Sequence, residues 1–339
     1  MKAILLEEFG PPGVLKLREV ADPSPGPGEI LLRIRACGIC GHDVIGRSGD
    51  LRGYRLPLIM GHEFAGEVVE LGPGVEGFAV GDRVASRQHR SCHVCNFCRN
   101  GRETLCPTHA EYGETIPGGY AELCVVDPAG LVRVPDGVGW AEAAIAACAV
   151  GTIVHAFRLA GVRIGERILV TGAGGGLGIH AIQLARAAGC EVVAVTSSER
   201  KVESLAAHAD HVILTGARGL NSQVRDRSLA PDVVIELTAG VTLDESLRAV
   251  RRGGRVVIVG NVDPNPVPLL PGAVIVRELA ILGSNSAALE DLEAALKLMA
   301  AREVTPVISH RLPLSAAAEG HAIMESKVNT GRVVLEVPG

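Results

Sequence analysis

A glycine-rich loop between a strand and a helix is the feature that most constrains the fold of this 339-residue chain. The apolar run 167–171 predicts the strand, and the periodic segment 177–188 predicts the helix. Missing side chains let a ligand approach the loop backbone, and the helix N-terminus offers unpaired N–H groups to a phosphate. The pattern predicts a dinucleotide site formed by Gly172, Gly175, Gly176, Leu177 and Gly178.

The pattern of secondary structure changes near residue 151. Before it, short β-rich runs such as 29–36 are broken by Gly and Pro, which predicts an irregular, mostly antiparallel β domain. After it, strands and helices alternate, which is typical of a doubly wound parallel sheet, here with six strands. We therefore expect an α/β protein with a β domain at 1–150, a dinucleotide-binding domain at 151–300, and a C-terminal segment, 301–339, that returns to the first domain.

Charge and hydropathy exclude two kinds of partner. The net charge is −5 and we find no basic run that could follow a phosphate backbone, so nucleic acid is not expected. We find no long, uncharged apolar segment, so neither a signal peptide nor a membrane span is predicted. Four of the nine cysteines fall in one short segment, which favours a metal over disulfides and predicts a reducing, cytoplasmic location.

That segment, the four-cysteine lobe at 89–110, has the spacing C-x2-C-x2-C-x7-C and few apolar residues. Four thiolates can close a tetrahedral shell around Zn²⁺, which would stabilise a loop that burial alone cannot hold. Free thiols, two disulfides and an iron–sulfur cluster are weaker alternatives. The predicted ligands are Cys92, Cys95, Cys98 and Cys106.

A second group of metal donors lies outside the lobe. Cys40 and His62 are N and S donors of the kind that hold a catalytic zinc, which takes three protein ligands and leaves one position open. Taken alone, either residue is a weak signal. A lone cysteine in an apolar stretch is usually a core residue, which is how we interpret Cys37, Cys124 and Cys190.

The stretch Gly61-His62-Glu63-Phe64-Ala65-Gly66, followed by Gly72 and Val75, resembles the zinc signature of the zinc-containing alcohol dehydrogenases, a family of medium-chain dehydrogenases/reductases. The resemblance runs over nearly the whole chain and includes the four-cysteine lobe. It implies a GroES-like catalytic domain beside a Rossmann domain, with one catalytic and one structural zinc. It makes Cys40, His62 and Cys148 ligands of the catalytic zinc, Glu63 a carboxylate that can approach it, and Asp43 the group that orients the ligand histidine.

His42 departs from the family pattern. The family's alcohol dehydrogenases usually carry Ser or Thr here, and the hydroxyl passes the substrate proton to the cofactor ribose. An imidazole could act as a direct acid or base instead, or only shape the pocket. Ser48 stands where relatives carry the outer histidine of the relay.

Residues 196–201 bear on the choice of cofactor. NAD enzymes commonly place an acidic residue after the second strand to hold the ribose 2′-hydroxyl. This chain has Thr196, Ser197 and Ser198 there, followed by Arg200 and Lys201, which favours NADP(H) over NAD(H), although Glu199 opposes it. By resemblance, the other cofactor-contacting residues are Thr152, Val259, Gly260, Asn261 and Arg332.

Three hypotheses of function follow. The first is NAD(P)-dependent oxidation of a small-molecule alcohol or reduction of an aldehyde or ketone. The second is reduction of an activated double bond, because residues 170–183, 196–199 and 260–264 resemble acryloyl-CoA reductases. In that reaction zinc could stabilise the oxyanion of the enolate, and His42 could donate the proton. A non-catalytic binding protein is the third and weakest. The resemblance also implies a homodimer or homotetramer.

Overall fold

The computed structural model describes residues 1–51, 53–262 and 265–338. The chain divides into two compact units. Unit 1 comprises Met1–Gly151, Ser286–Ala301 and Ile308–Gly339, and unit 2 comprises Thr152–Asn285 and Arg302–Val307. Among the described residues, no helix combines the length and the apolar character that crossing a membrane requires.

The strands, numbered along the chain, are β1 (Lys2–Leu6), β2 (Leu15–Glu19), β3 (Ile30–Ile39), β4 (Leu58–Ile59), β5 (Glu63–Leu71), β6 (Arg83–Ser86), β7 (His89–Arg90), β8 (Ala110–Glu111), β9 (Leu123–Val126), β10 (Leu131–Arg133), β11 (Arg167–Val170), β12 (Glu191–Thr196), β13 (His211–Leu214), β14 (Val233–Glu236), β15 (Arg255–Ile258), β16 (Ala280–Gly283), β17 (Ile308–Pro313) and β18 (Arg332–Glu336).

The α-helices are α1 (Gly41–Ser48), α2 (Asn96–Arg99), α3 (Trp140–Ala144), α4 (Thr152–Ala160), α5 (Gly178–Ala187), α6 (Val202–Ala206), α7 (Leu220–Asp226), α8 (Leu243–Ala249), α9 (Pro271–Arg277), α10 (Leu289–Ala300) and α11 (Ala317–Ser326). A π-helix at Ala146–Gly151 leads into α4. Short 3-10 helices lie at Pro12–Val14, Glu103–Leu105, Pro128–Gly130, Glu199–Lys201, Ala239–Val241 and Leu314–Ala316.

Unit 1 is built on a mostly antiparallel sheet in the order β10-β6-β5-β3-β18-β17, with β9 also pairing β3. The long strands β3 and β5 are buried over most of their length and contribute Ile34, Phe64 and Val68 to the apolar core. Because β18 pairs with β3, a strand from the end of the chain completes the sheet begun by the first domain.

Unit 2 is a six-stranded parallel sheet in the order β13-β12-β11-β14-β15-β16. Its central strands are short, mostly apolar and almost fully buried, as expected for parallel strands covered on both faces. The order of the strands reverses between β11 and β14, which creates the crevice where ligands of such sheets bind. The predicted α/β fold class, with a doubly wound parallel sheet and a mostly β domain, is confirmed.

The division of the chain differs from the predicted domain ranges at 286–301. This segment contains α10 and belongs to unit 1, because the helix packs against the π-helix at Ala146–Gly151. The predicted range 151–300 assigned α10 to the dinucleotide-binding domain, since its sequence looks like one more helix of the alternating series. Conversely, residues 302–307 belong to unit 2.

Candidate metal and dinucleotide sites

Strand pairing in unit 1 brings distant residues to one end of the sheet. In the antiparallel pair β3 and β5, Gly38 lies opposite Glu63, so Cys40, just past β3, comes beside His62, just before β5. On the other side of β3, the pairing of Val333 with Ile39 brings Arg332 to the same place. The positions thus follow from sheet register rather than from any local motif.

The metal-donor cluster consists of Cys40, His62, Glu63 and Cys148, whose donor atoms all lie within 4.8 Å of one another. Cys148 comes from the π-helix, whose residues are all buried and mostly small. Single π-helical turns are rare and occur often at functional sites. The structure therefore assembles the three sequence-predicted ligands and the predicted carboxylate in one place.

The donor set fits zinc. Zn–S bonds of about 2.3 Å at tetrahedral angles separate two sulfurs by about 3.8 Å. The Cys40 and Cys148 Sγ atoms are 3.8 Å apart. Two thiolates and one imidazole are soft and borderline donors of the kind that zinc prefers. None of the nine cysteines, all of them among the described residues, forms a disulfide bond, so both sulfurs are available as ligands.

Asp43 orients the imidazole of His62. Its Oδ1 lies 3.1 Å from His62 Nδ1, which leaves Nε2 as the nitrogen for the metal-donor cluster. The backbone N–H of Cys40 donates to Asp43 Oδ2 at 2.8 Å, so one fully buried carboxylate holds two of the donor residues. This is the carboxylate–histidine arrangement that fixes the tautomer of metal-binding histidines.

Arg332 is a buried cation beside the thiols. Its Nη2 donates to Cys148 Sγ at 3.3 Å and lies 3.1 Å from Glu63 Oε1. Burial raises the pKa of Glu63 to about 7, although the guanidinium acts to lower it. Arg332, which by resemblance is also a cofactor-contacting residue, lies in unit 1, where its positive charge stabilises thiolates.

His42 lies at the edge of the metal-donor cluster. Its ring centroid is 5.8 Å from that of His62, and its Nε2 is 2.9 Å from Glu114 Oε2. The imidazole is about half exposed, with 48% of its side-chain surface accessible. Burial lowers the pKa of His42, but the Glu114 hydrogen bond and neighbouring charged groups together raise it above its ordinary value. Sequence reasoning missed Glu114, because nothing in its local sequence links it to His42.

Ser48 shows no link to this imidazole in the described contacts. It lies near the end of α1, exposed, and its hydroxyl oxygen is 2.7 Å from both Ile45 O and Asp50 Oδ2, either of which can accept its one hydrogen. These contacts are local to the end of the helix and to the turn after it. The described contacts of Ser48 are thus those of a helix end.

The four-cysteine lobe closes on itself. The Sγ atoms of Cys92, Cys95, Cys98 and Cys106 all lie within 4.8 Å of one another. Backbone N–H groups of Cys95 and Cys98 donate to the sulfurs of Cys92 and Cys95 at 3.3 and 3.5 Å. Such hydrogen bonds stabilise charged sulfur, and four thiolates leave no open coordination position. The nearby histidines have other partners: His93 Nε2 lies 2.6 Å from Asp127 Oδ2, and His109 Nδ1 lies 2.6 Å from Cys106 O.

The glycine loop of unit 2 has a backbone that side chains would not permit. Gly172 has a φ of +58°, and a Cβ at Gly178 would clash with the Gly172 carbonyl. The loop therefore turns sharply from β11 into α5, a ten-residue helix whose N-terminus faces the loop. The predicted residues Gly175, Gly176 and Leu177 lie in this turn, next to the reversal of strand order between β11 and β14.

The residues predicted to contact the adenosine ribose follow β12. Thr196 is buried, and its Oγ1 accepts from Ser198 N at 3.1 Å, whereas Ser197 and Arg200 are exposed. Lys201 lies over the glycine loop, with its Nζ donating to Gly174 O at 3.2 Å. The structure thus brings one of the two predicted cations to the loop and leaves the other at the surface.

Val259, Gly260 and Asn261 follow β15, at the same carboxyl edge of the parallel sheet. The N–H of Val259 donates to Glu236 O at 2.9 Å, and Asn261 Oδ1 accepts from Gly240 N at 3.4 Å. Thr152 begins α4. Sequence reasoning missed Glu236, a fully buried carboxylate that accepts a 2.6 Å hydrogen bond from Thr171, the residue before the loop.

Comparisons with known proteins agree with this architecture. Residues 26–136 match the family model described as alcohol dehydrogenase GroES-like domain, and residues 176–301 match zinc-binding dehydrogenase. Acryloyl-coenzyme A reductase of Metallosphaera sedula is 37% identical, covering 99% of both chains. Alcohol dehydrogenase of Geobacillus stearothermophilus is 33% identical, covering 99% of this chain and 100% of that protein. The crystal structure of AibC superposes on this chain with a TM-score of 0.94 at 46% identity, covering 100% of this chain and 96% of the AibC chain.

The chain belongs to the zinc-type alcohol dehydrogenase family of medium-chain dehydrogenases/reductases. It is an oxidoreductase of the zinc-binding dehydrogenase type, which uses NAD(P). The relatives named above include both an enoyl-thioester reductase and an alcohol dehydrogenase, so membership alone leaves the reaction open.

Proposed function

We propose that this protein reduces the activated double bond of an enoyl-CoA thioester, with hydride from NADPH. The observation that carries the proposal is the His42–Glu114 pair beside the metal-donor cluster, at a position where the family's alcohol dehydrogenases usually have a hydroxyl. The similarity to acryloyl-CoA reductases supports it. Carbonyl reduction is the first hypothesis from the sequence alone; we place thioester reduction ahead of it because these two observations support it.

The protein's residues divide the work as follows. Cys40, His62 and Cys148 would hold the catalytic metal, with Glu63 within reach, while the four-cysteine lobe would hold a structural zinc. When bound, zinc supplies a Lewis acid for the thioester oxygen and NADPH supplies the hydride. In its imidazolium form, His42 would donate Nε2–H to Glu114 and keep a second proton on Nδ1, which it would deliver to the α-carbon as the β-carbon takes the hydride, leaving a neutral ring. Asp43 keeps His62 oriented throughout.

Alcohol or carbonyl oxidoreduction is the second candidate, and the charge of the donor set supports it as well. Two thiolates and a neutral imidazole cancel the charge of Zn²⁺, which suits a site that stabilises an alkoxide. In that reaction His42 would exchange the proton of the alcohol itself. Both reactions need the same metal donors, so they differ only in the substrate and in what His42 does.

The deciding experiment is steady-state turnover of the zinc-loaded enzyme on a panel of enoyl-CoA thioesters, aldehydes and ketones, with NADPH and NADH. Wild type and the variants Cys40→Ala and His42→Thr are compared. We expect thioester turnover that Cys40→Ala abolishes, and that His42→Thr lowers about a hundredfold, the contribution of a positioned general acid. Threonine restores the hydroxyl usual in the family's alcohol dehydrogenases, so it is a sharper variant than alanine.

The opposite pattern would overturn the proposal. Turnover of aldehydes or ketones alone, lost in Cys40→Ala and kept or raised in His42→Thr, would establish the second candidate. Thioester turnover that is the same in wild type and His42→Thr would remove His42 from the chemistry.

We further propose a preference for NADPH, supported by the absence of an acidic side chain at Ser197 and by Lys201 at the glycine loop. Ser197→Asp places a carboxylate where the 2′-phosphate would lie. Repulsion of about 1.4 kcal/mol or more would raise the KM for NADPH about tenfold, while the KM for NADH falls. Ser222→Asp, in α7, is the control, because the described contact of Ser222 is with Gly219 O at 3.0 Å rather than with the glycine loop or Lys201. An unchanged ratio of the two KM values in Ser197→Asp would place the ribose elsewhere.

We also propose that the chain forms a homodimer or homotetramer. The strand β16 ends the order of the parallel sheet, and α9 beside it exposes Ile275 and Val276 at 72% and 67%. Exposed sheet edges and apolar side chains favour association. Sedimentation should give two or four times the mass of 35.3 kDa of one chain; the mass of a single chain would contradict this.

A further inference from the structure

A chain of buried polar groups leads away from the metal-donor cluster on the far side of Asp43. Tyr120 O–H lies 3.5 Å from Asp43 Oδ2 and 3.2 Å from His321 Nε2. The side chains of Asp43, Tyr120 and His321 are all fully buried. Neither the family resemblance nor the proposed reaction gives Tyr120 or His321 a role.

The donors in this chain have a defined direction. A carboxylate only accepts hydrogen bonds, so Tyr120 O–H donates to Asp43, and the phenol oxygen is then free to accept from His321 Nε2–H. Burial lowers the pKa of His321 to about 4, so its ring is neutral and carries a single N–H. Its buried Nδ1 has no hydrogen-bond partner among the described residues. With the hydrogen on Nε2, the buried Nδ1 carries only a lone pair and is not an unsatisfied donor.

Packing holds the two rings in place. A side chain at Gly61, the residue before His62, would clash with the Tyr120 ring, so the ring lies directly against the backbone that presents His62. The Tyr120 and His321 rings meet edge to face, with centroids 5.9 Å apart.

The helix α11, which carries His321, is also tied to α1, which carries Asp43. The fully buried side chain of Arg47, in α1, forms an ion pair with Glu325, in α11. The two helices are therefore linked both by this ion pair and through Tyr120, so we expect a displacement of α11 to shift the Asp43 carboxylate.

We propose that Tyr120 and His321 are positioning residues that extend the Asp43–His62 pair, and so fix the direction in which His62 presents Nε2 to the metal. The inference rests on the metal site proposed above. It predicts that α11, more than 250 residues from His62 along the chain, affects how tightly the metal is held. Groups that orient a ligand histidine typically contribute ten- to a hundredfold in metal affinity, about the effect expected here.

The test measures the metal directly, in enzyme loaded with Co²⁺ or Zn²⁺. Cys148→Ser provides the spectrum of the four-cysteine lobe alone, which is subtracted. We expect Tyr120→Phe and His321→Leu to shift the cobalt absorption bands of the remaining site and to release zinc to a chelator about tenfold faster. His321→Gln, whose amide can still donate to Tyr120, should recover most of the wild-type release rate.

Tyr112→Phe is the matched control. Tyr112 is another buried tyrosine of unit 1, and its hydroxyl accepts from Asp127 N at 3.0 Å, with no link to His62 in the described contacts. It should leave the bands and the release rate unchanged. Bands and zinc release at wild-type values in both Tyr120→Phe and His321→Leu, whatever their thermal stability, would overturn the inference while leaving the proposed reaction intact. Wild-type enzyme without cobalt bands beyond those of Cys148→Ser would overturn both.

Discussion

Replacing Cys148 by serine should remove one zinc ion per chain and lower kcat/KM about a thousandfold or more. The π-helix holds the Cys148 sulfur 3.8 Å from that of Cys40, and a serine hydroxyl is both a harder donor and a shorter one. Without the third ligand, the site loses several kcal/mol of charge stabilisation in the transition state, which corresponds to a rate loss of this size. Metal analysis and steady-state kinetics on the same preparation would show both losses.

Cys190→Ser is the control for this prediction. Cys190 is also a buried free cysteine, but it lies in unit 2, where its sulfur contacts Arg163 O at 3.4 Å. It should retain the metal content and turnover of wild type. If Cys148→Ser kept full zinc content and full turnover, Cys148 would not be a ligand, and the assignment of the catalytic metal would have to be withdrawn.

Replacing Cys106 by serine should lower the melting temperature by about 10 °C or more, because structural zinc contributes many kcal/mol to folding and each kcal/mol is worth a few degrees. The lobe has little apolar burial of its own, so losing one of four thiolates should unfold it locally. Calorimetry would measure the shift. Trypsin should then cleave after Arg99 and Arg102, which lie between Cys98 and Cys106 in the lobe.

Cys190→Ser is again the control, and we expect it to keep the melting temperature and the trypsin resistance of wild type. A protected lobe and an unchanged melting temperature in Cys106→Ser would mean that metal does not hold this segment together.

The elements of unit 2 were largely predictable, because their signals are local. The strand β11 and the helix α5 lie within one residue of the predicted bounds, since apolar periodicity and the glycine loop define both ends. The strand β13 was missed: it has four residues, only one of them buried, and lies at the edge of the sheet. Its identity as a strand depends on pairing with β12, which no local pattern records.

The two groups of metal donors also differ in how far the local sequence predicts them. The lobe was readable from spacing, because all four cysteines lie in one loop. The other group required the family resemblance, since Cys40 and Cys148 come from separate elements of the fold. Glu114, Tyr120 and His321 were not predicted at all, because each reaches the site through pairing or packing that brings distant segments together.

The pairing of β18 with β3 affects how this protein can be made. Arg332 and its strand leave the ribosome after all the other residues of the metal-donor cluster. A nascent chain that has reached residue 300 already carries Cys40, His62 and Cys148, but β3 still has an open edge and the two sulfurs have no guanidinium beside them. We therefore expect the metal site to be completed only after residue 332 has been synthesised, and a chain that stalls before it to expose both a reactive thiol pair and an unpaired strand.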